Sequence, residues 1–454
     1  MVELTKEQEK FAIGRTFLIG LAFFTTGIAW SMYNTQVNIM LFIFLGSYAL
    51  VGALMAMDNL IGICIQPIMG NVSDRTRSKL GRRIPYLIIG IPFAAIFFIL
   101  IGTIPSMPQT MQTFWLLIIY MFFFNVSMGF YRSQAVALMP DFIVPKHRSK
   151  GNAIINLMGG VGAIMAYIMG WILIIEGHPE TIALAFLLVA VIMVFSLIIL
   201  LFTVKEKKSY SYQLILEIEA KEGQKIIDKN KKPGLIESFR DILSEKDKST
   251  LFMLLAIFFW FVAYQALEAL FTLYAWEVLG IDRGPAAGML LFVALPFIIM
   301  AFPAGILGSK LGRRITIKIG LIMFIIACFI IFITPVYFHD LVTISMIIII
   351  CFIIAGCGWA FININSIVII WEMAPTAEKI GTYTGVYYFF SFLAAILGPF
   401  IVGLFIDLTT SAWLFFICSW FFIVAFILMW LVRRGEVELT EEEKIAKQKA
   451  IQEL

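Results

Sequence analysis

The sequence predicts an all-α membrane protein: twelve spanning helices in two six-helix bundles. Three observations carry that prediction. Charged residues make up only 14% of the chain and hydrophobic residues 61%, whereas soluble domains average about 25% charged. Apolar runs long enough to cross a hydrocarbon core of roughly 30 Å recur without strand-like alternation, and a backbone in hydrocarbon must satisfy its own hydrogen bonds as helices or a closed barrel. Finally, the hexapeptide Ser-Lys-Leu-Gly-Arg-Arg stands twice, at 78–83 and 309–314, an offset of 231 residues. An element repeated between apolar runs marks two homologous halves.

The spans read as 12–33, 42–70, 84–104, 112–140, 151–175 and 181–203 in the first half, and 250–279, 286–308, 315–335, 342–371, 382–406 and 411–432 in the second. An N-terminal bundle then occupies 1–203, a linker 204–249, a C-terminal bundle 250–432 and a tail 433–454. An even number of spans puts both termini on one side. Of 34 Lys and Arg, all but Arg132 and Arg283 fall in the tails, at span ends or in loops on that same side. The positive-inside rule makes it the cytoplasm, and a cell-membrane location is expected. The linker carries eleven basic and nine acidic residues. After Pro233-Gly234, Leu235, Ile236, Phe239, Ile242 and Leu243 share one helix face, which reads as a tether with a short interfacial helix or as a regulatory partner site.

Several function classes drop out. Cys64, Cys328, Cys351, Cys357 and Cys418 lie in apolar runs without metal-ligand spacing and read as small core hydrophobes. His147, His178 and His339 fall in loops without a partnered nucleophile. No enzyme, metal site, cofactor or nucleic-acid partner is expected.

The basic turns are the most informative stretches. In the first, Gly70 allows close helix packing and Gly81 a tight turn with φ > 0. Asp74 stands where it can bond arginines, and Arg75, Arg82 and Arg83 where they can meet helix C-termini. In the second, Gly305, Gly312, Arg313 and Arg314 repeat the pattern. Such turns are ordinary topology anchors when single. Repeated at matching places in two halves, they read as a conformational latch. Met139-Pro140-Asp141 and Glu372-Met373-Ala374-Pro375 end two further matched spans, where Asp141, Lys146, Arg148, Glu372 and Lys379 are positioned to form salt bridges between the halves.

These turns resemble the Gly-x-x-x-Asp-Arg-x-Gly-Arg-Arg loop of the major facilitator superfamily. The second copy has that compact spacing, with Ser309 in the acid's place, and the first is longer between Asp74-Arg75 and Gly81. With Gln66-Pro67-Ile68-Met69-Gly70 before it and Gly81-Arg82-Arg83-Ile84-Pro85-Tyr86 after it, that longer form resembles the glycoside–pentoside–hexuronide:cation symporters. The branch it looks nearest contains the sucrose:proton symporters and their relatives. Ala137-Leu138-Met139-Pro140-Asp141 followed by Gly151-Asn152-Ala153 agrees. The resemblance implies the twelve-helix major facilitator fold, its two bundles around a central cavity lined by spans one, four, seven and ten. It also implies a glycoside as substrate and a protein working as a monomer. The family's two span-two acids stand here as Gln66 and Gly62, and the sucrose branch's span-four acid and arginine as Asn125 and Val136.

Ionisable side chains at bilayer depth cost at least ~2.5 kcal/mol to insert and are functional candidates by default. Asp58, Arg132 and Glu268 are the three, and any cation coupling falls to them. Asp58 and Arg132 lie at similar depth, as a coupling pair or a static ion pair. Glu268 reads as a proton carrier or as an acceptor for substrate hydroxyls. A proton is the expected co-substrate ahead of sodium, with uniport left open. Sugar sites combine amides, carboxylates and aromatic plates in an otherwise apolar pocket. Tyr33, Asn34, Asn125, Tyr131, Gln134, Tyr264, Gln265, Glu268, Trp359 and Asn363 are the candidates, their aromatics also serving equally well as packing. The expected function is therefore proton-coupled symport of a di- or oligosaccharide. Efflux or exchange of an amphipathic solute is the alternative.

Overall fold

A computed structural model describes residues 12–144, 147–209, 211–213, 247–374 and 380–436. Among them, twelve helices are long and apolar enough to cross a membrane: Ile13–Leu45, Tyr48–Arg75, Ile84–Ser106, Met111–Phe142, Lys150–Leu173 and Pro179–Thr203, then Ser249–Glu277, Arg283–Leu311, Arg313–Tyr337, Leu341–Met373, Tyr383–Leu408 and Ser411–Leu431. They are numbered here as spans one to twelve. No strand forms among the described residues, and Ser78 and Gly81 make an isolated bridge. The expected amphipathic helix at 235–243 lies outside the described residues, as do Lys146 and Lys379.

Span one departs most from expectation. It does not end at 33 but continues to Leu45, stopping at Gly46 with φ +61°. The cluster Asn34, Gln36 and Asn38 reads as a helix end, yet Gln36 and Asn38 are fully buried inside the span. The helix satisfies its own backbone, so a few polar side chains facing the interior need not break it. Span four similarly continues past Pro140 to Phe142.

The chain forms two compact units: Met1–Phe44, Met57–Asn230 and Asp282–Gly288, and Leu45–Ala56, Lys231–Ile281 and Met289–Leu454. They differ from the halves of the sequence by two exchanged segments. Those segments are the first parts of spans two and eight, which correspond under the repeat and which both break. Span two is Tyr48–Met55 and Met57–Arg75, interrupted at Ala56. Span eight is Arg283–Met289 and Leu291–Leu311, interrupted at Leu290.

In the second unit, Tyr48–Met55 lies against span eleven. A Cβ on Gly52 would meet the Pro399 carbonyl at 2.2 Å, and one on Gly403 the Tyr48 carbonyl at 2.4 Å. The Asp407 carboxylate accepts from Ser47 Oγ (2.6 Å) and from the backbone N–H of Tyr48 (2.8 Å) and Ala49 (3.0 Å), while the Tyr48 hydroxyl donates to Glu277 at 2.5 Å. In the first unit, Arg283 pairs with Glu176 at 3.4 Å, and Gly288 fits against the Trp171 ring. Small residues elsewhere let backbones touch, as membrane helices require where lipid gives no hydrophobic drive. Gly27 meets Gly159 between spans one and five, and Gly320 meets Gly358 between spans nine and ten.

Candidate functional site

The first charged turn folds into a carboxylate clip. Gly81 takes φ +122° and brings the backbone against Glu206, just past span six; a Cβ there would lie 2.4 Å from the Glu206 carboxylate. Glu206 thus accepts from the N–H groups of Arg82 (2.9 Å), Arg83 (2.8 and 2.9 Å) and Ile84 (2.9 Å). These are donors that the start of span three leaves without helical partners. The two guanidiniums turn the other way. Arg82 and Arg83 both grip the buried Asp141 at the end of span four, each with an Nε–Oδ2 bond of 3.1 Å. Arg83 also bonds Ser73, Asp74 and Gln134 Oε1 (3.2 Å). Burial pushes the Glu206 carboxyl above its usual range; the N–H groups of Ile84, Arg83 and Arg82 pull it down and the charge of Asp141 pushes it up again.

The second turn builds the same clip in the second unit. Gly312 has φ +103°. Glu436, just past span twelve, accepts from the N–H groups of Arg313 (3.0 Å) and Arg314 (2.9 Å). Arg313 pairs with Glu372 at 3.0 Å. Arg314 Nη1 donates to the carbonyls of Val432 (3.1 Å) and Arg433 (2.6 Å) at the end of span twelve. Arg82 to Arg313 and Asp141 to Glu372 are both offsets of 231 residues, and Glu206 to Glu436 is 230. Nothing in the second turn replaces Asp74, so the second clip has fewer bonds.

Three expectations need correction here. Asp141 and Glu372 do not bridge the halves in the contacts described; each pairs with the arginine of its own half. Gly70 is not a close-packing site, since nothing lies within 4 Å of a Cβ there, and Gly305 has only Ile364 at 3.8 Å; the tight approach falls on Gly308, against Asn365. Gln134 belongs with the clip rather than with a substrate, for its amide is taken up by Arg83, the Met69 carbonyl (2.9 Å) and Ser133 (3.0 Å). Arg75 is exposed, and it is Arg77 that meets the carbonyls ending span two.

Deeper in the first unit, spans one and four bring polar groups together. Asn125 Nδ2 donates to the Tyr33 hydroxyl at 3.3 Å, and Tyr33 stacks on Phe124. The Tyr131 hydroxyl meets Thr25 (3.5 Å) and Met128 (3.1 Å). The Arg132 guanidinium lies 4.9 Å from the centroid of Trp30, a cation–π distance. The break in span two places Asp58 in the first turn of Met57–Arg75, where its carboxylate accepts from Asn59 Nδ2 at 2.7 Å. Asn34 is half-buried. Both amide atoms of Gln36 and Oδ1 of Asn125 are buried with no hydrogen-bond partner among the described residues.

The second unit contributes aromatic plates. Tyr264 of span seven stacks on Trp359 of span ten, with centroids 3.6 Å apart and planes 2° from parallel. Phe261 and Phe324 meet the Trp359 ring edge-on. Gln265, Glu268 and Asn363 are half-buried on the same two spans, whereas Asn365 bonds the Ala304 and Phe361 carbonyls. Trp260 is fully buried and its Nε1 has no partner among the described residues.

Sequence reasoning missed Glu206 and Glu436. Each is an acid among basic residues just past the last span of its half. Their near-equal offset to the repeated turns was the available signal.

Three kinds of known protein share these features. A profile described as Major Facilitator Superfamily matches residues 19–399 and 288–454. A general alpha-glucoside permease of Schizosaccharomyces pombe is 26% identical over 122 residues, which are 25% of this chain and 22% of that permease's length. Among solved structures, a mutant of the nucleoside transporter NupG superposes with a TM-score of 0.70 at 13% identity, covering 92% of this chain and 100% of that one. A D-xylose-proton symporter does so with 0.67 at 15%, covering 94% and 99%. The likenesses to structures carry the fold, and the profile carries the family. This multi-pass membrane protein is a transporter rather than an enzyme, and it belongs to the Major Facilitator Superfamily.

Proposed function

We propose that this transporter takes up a sugar, a glycoside of two or more units, by alternating access coupled to protons. The observation that carries the reading is the pair of buried amides in the first unit. Unpaired buried polar atoms are costly, and the hydroxyls of a sugar offer both donors and acceptors to Gln36 and Asn125. The Tyr264–Trp359 plates suit the apolar face of a pyranose. The partial likeness to an alpha-glucoside permease supports the same substrate class. Asp58 and Glu268, with Arg132, are the proposed proton carriers, and the two clips hold a state that substrate and proton together release. An ion drives that change only by binding the two states unequally. Both termini are placed in the cytoplasm, in a protein acting as a monomer in the cell membrane.

The test is transport in proteoliposomes. External pH is recorded as a panel of sugars is added without a membrane potential, for wild type, Glu268→Gln and Asp58→Asn. External alkalinisation with one sugar, lost in a carboxyl variant that still binds it, is the expected result. Sugar entry without a proton signal would make the protein a uniporter. That is the reading favoured by Gln66 and Gly62 standing where the resembling symporters have acids. No response to any sugar would overturn the substrate class.

A further inference from the structure

One cluster of charge takes no part in the clip carboxylates or the membrane-depth polar groups. Where span seven begins and span twelve ends, Asp247, Lys248, Phe252, Trp430, Leu431 and Arg433 line a cleft of about 540 Å³ in the second unit. The two helix ends are fastened behind it. Arg434 pairs with Asp247 at 3.3 Å and donates to Thr250 at 3.1 Å. Asp247 also accepts from the Ser249 N–H and hydroxyl at 2.9 and 2.7 Å, and these bonds hold its carboxyl below the usual range. The one acid in the lining is therefore ionised and already matched by Arg434, which leaves Lys248 and Arg433 as the cleft's excess charge.

Two further features aim that charge at a lipid. Trp430 is 65% exposed and Leu431 47%, at the end of a spanning helix where such surface meets headgroups and upper acyl chains. Lys318 lies 4.2 Å from the centroid of Trp430 and adds a third positive charge beside this apolar wall. A soluble anion would use the cations and ignore the wall. We infer that the cleft binds the phosphate headgroup of an anionic phospholipid, with Lys248 and Arg433 at the phosphate and Phe252, Trp430 and Leu431 along the glycerol and chains. In the proposed orientation this is the cytoplasmic leaflet, whose anionic lipids attract basic clusters at span ends. The site reaches the second clip through one residue: the Arg433 carbonyl accepts from Arg314, whose N–H is held by Glu436. A bound headgroup thus steadies the end of span twelve on which that clip is built.

The full chain, purified in neutral detergent, would be titrated with phosphatidylglycerol, phosphatidylcholine or inorganic phosphate while thermal unfolding is followed. Phosphatidylglycerol should raise the unfolding temperature at concentrations at least about tenfold lower than phosphatidylcholine requires. The shift should fall away in Lys248→Gln/Arg433→Gln and persist in Lys150→Gln, which removes an exposed charge elsewhere. Lys248→Gln alone changes one exposed side chain, and it should weaken the response even where the double variant does not fold. Equal protection by both lipids, equal loss in Lys150→Gln, or full protection by inorganic phosphate alone would each overturn the assignment.

Discussion

Glu206 shows how much one side chain outside the membrane can organise. Its carboxylate meets three successive backbone N–H groups at the start of span three, and only a glycine at 81 leaves room for it. Burial raises its pKa, so the proton is held more tightly in the folded chain than in the unfolded one. The contribution of such a group to stability is complete below the ordinary carboxyl value and is lost as pH rises through the raised one. Glu206→Gln removes the titration while keeping the shape. The unfolding temperature of wild type relative to Glu206→Gln should therefore decline as pH rises from acid toward neutral. A difference that is flat in pH, or that grows on alkalinisation, would show that the carboxyl is not held in this way. At neutral pH the variant should still be the weaker clip, because an amide presents an NH₂ to donors that need an acceptor.

At the scale of elements, the two clips share a design and differ in burial, and the difference decides what their ion pairs contribute. The side chains of Arg82 and Asp141 are 8% and 6% exposed, those of Arg313 and Glu372 17% and 37%. Removing one partner of a buried pair strands the other charge and costs ~3–5 kcal/mol, whereas exposed pairs contribute ~0–1 kcal/mol. Asp141→Asn should accordingly lower stability well beyond Glu372→Gln in unfolding experiments, and equal effects would contradict the burial argument. Much of this was legible in the sequence. Twelve spans, the duplicated turns, the positive φ at Gly81 and Gly312 and the matched acids Asp141 and Glu372 follow from hydropathy, repetition and turn chemistry. What the sequence hid was contact between distant segments. Nothing local marks Glu206 as the cap of span three, assigns Gln134 to Arg83, or says that Gly308 rather than Gly305 meets a neighbour. The long polar run from Asn34 to Asn38 misled for the opposite reason, since interior polar groups in a membrane helix look like a helix end.

For the whole molecule, the repeat means that each compact unit carries its own clip, and the bonds described give the two clips no shared partner. Stability effects at separate sites without common partners add to within ~0.3–0.5 kcal/mol. Glu206→Gln and Glu436→Gln should therefore destabilise the double variant by the sum of their single effects. Transport asks a different question of the same residues. In the proposed cycle both clips must release for one concerted change, so losing either already removes most of the preference for the state they hold. The second loss then adds little, and the rate of the double variant should lie close to that of the slower single variant rather than at the product of the two reductions. Unfolding and uptake measured on the same four proteins give both answers. Additive stability with non-additive transport would tie the duplicated turns to a single conformational step. Multiplicative losses in both would make them independent anchors of their own bundles, and the alternating-access role proposed for them would fall.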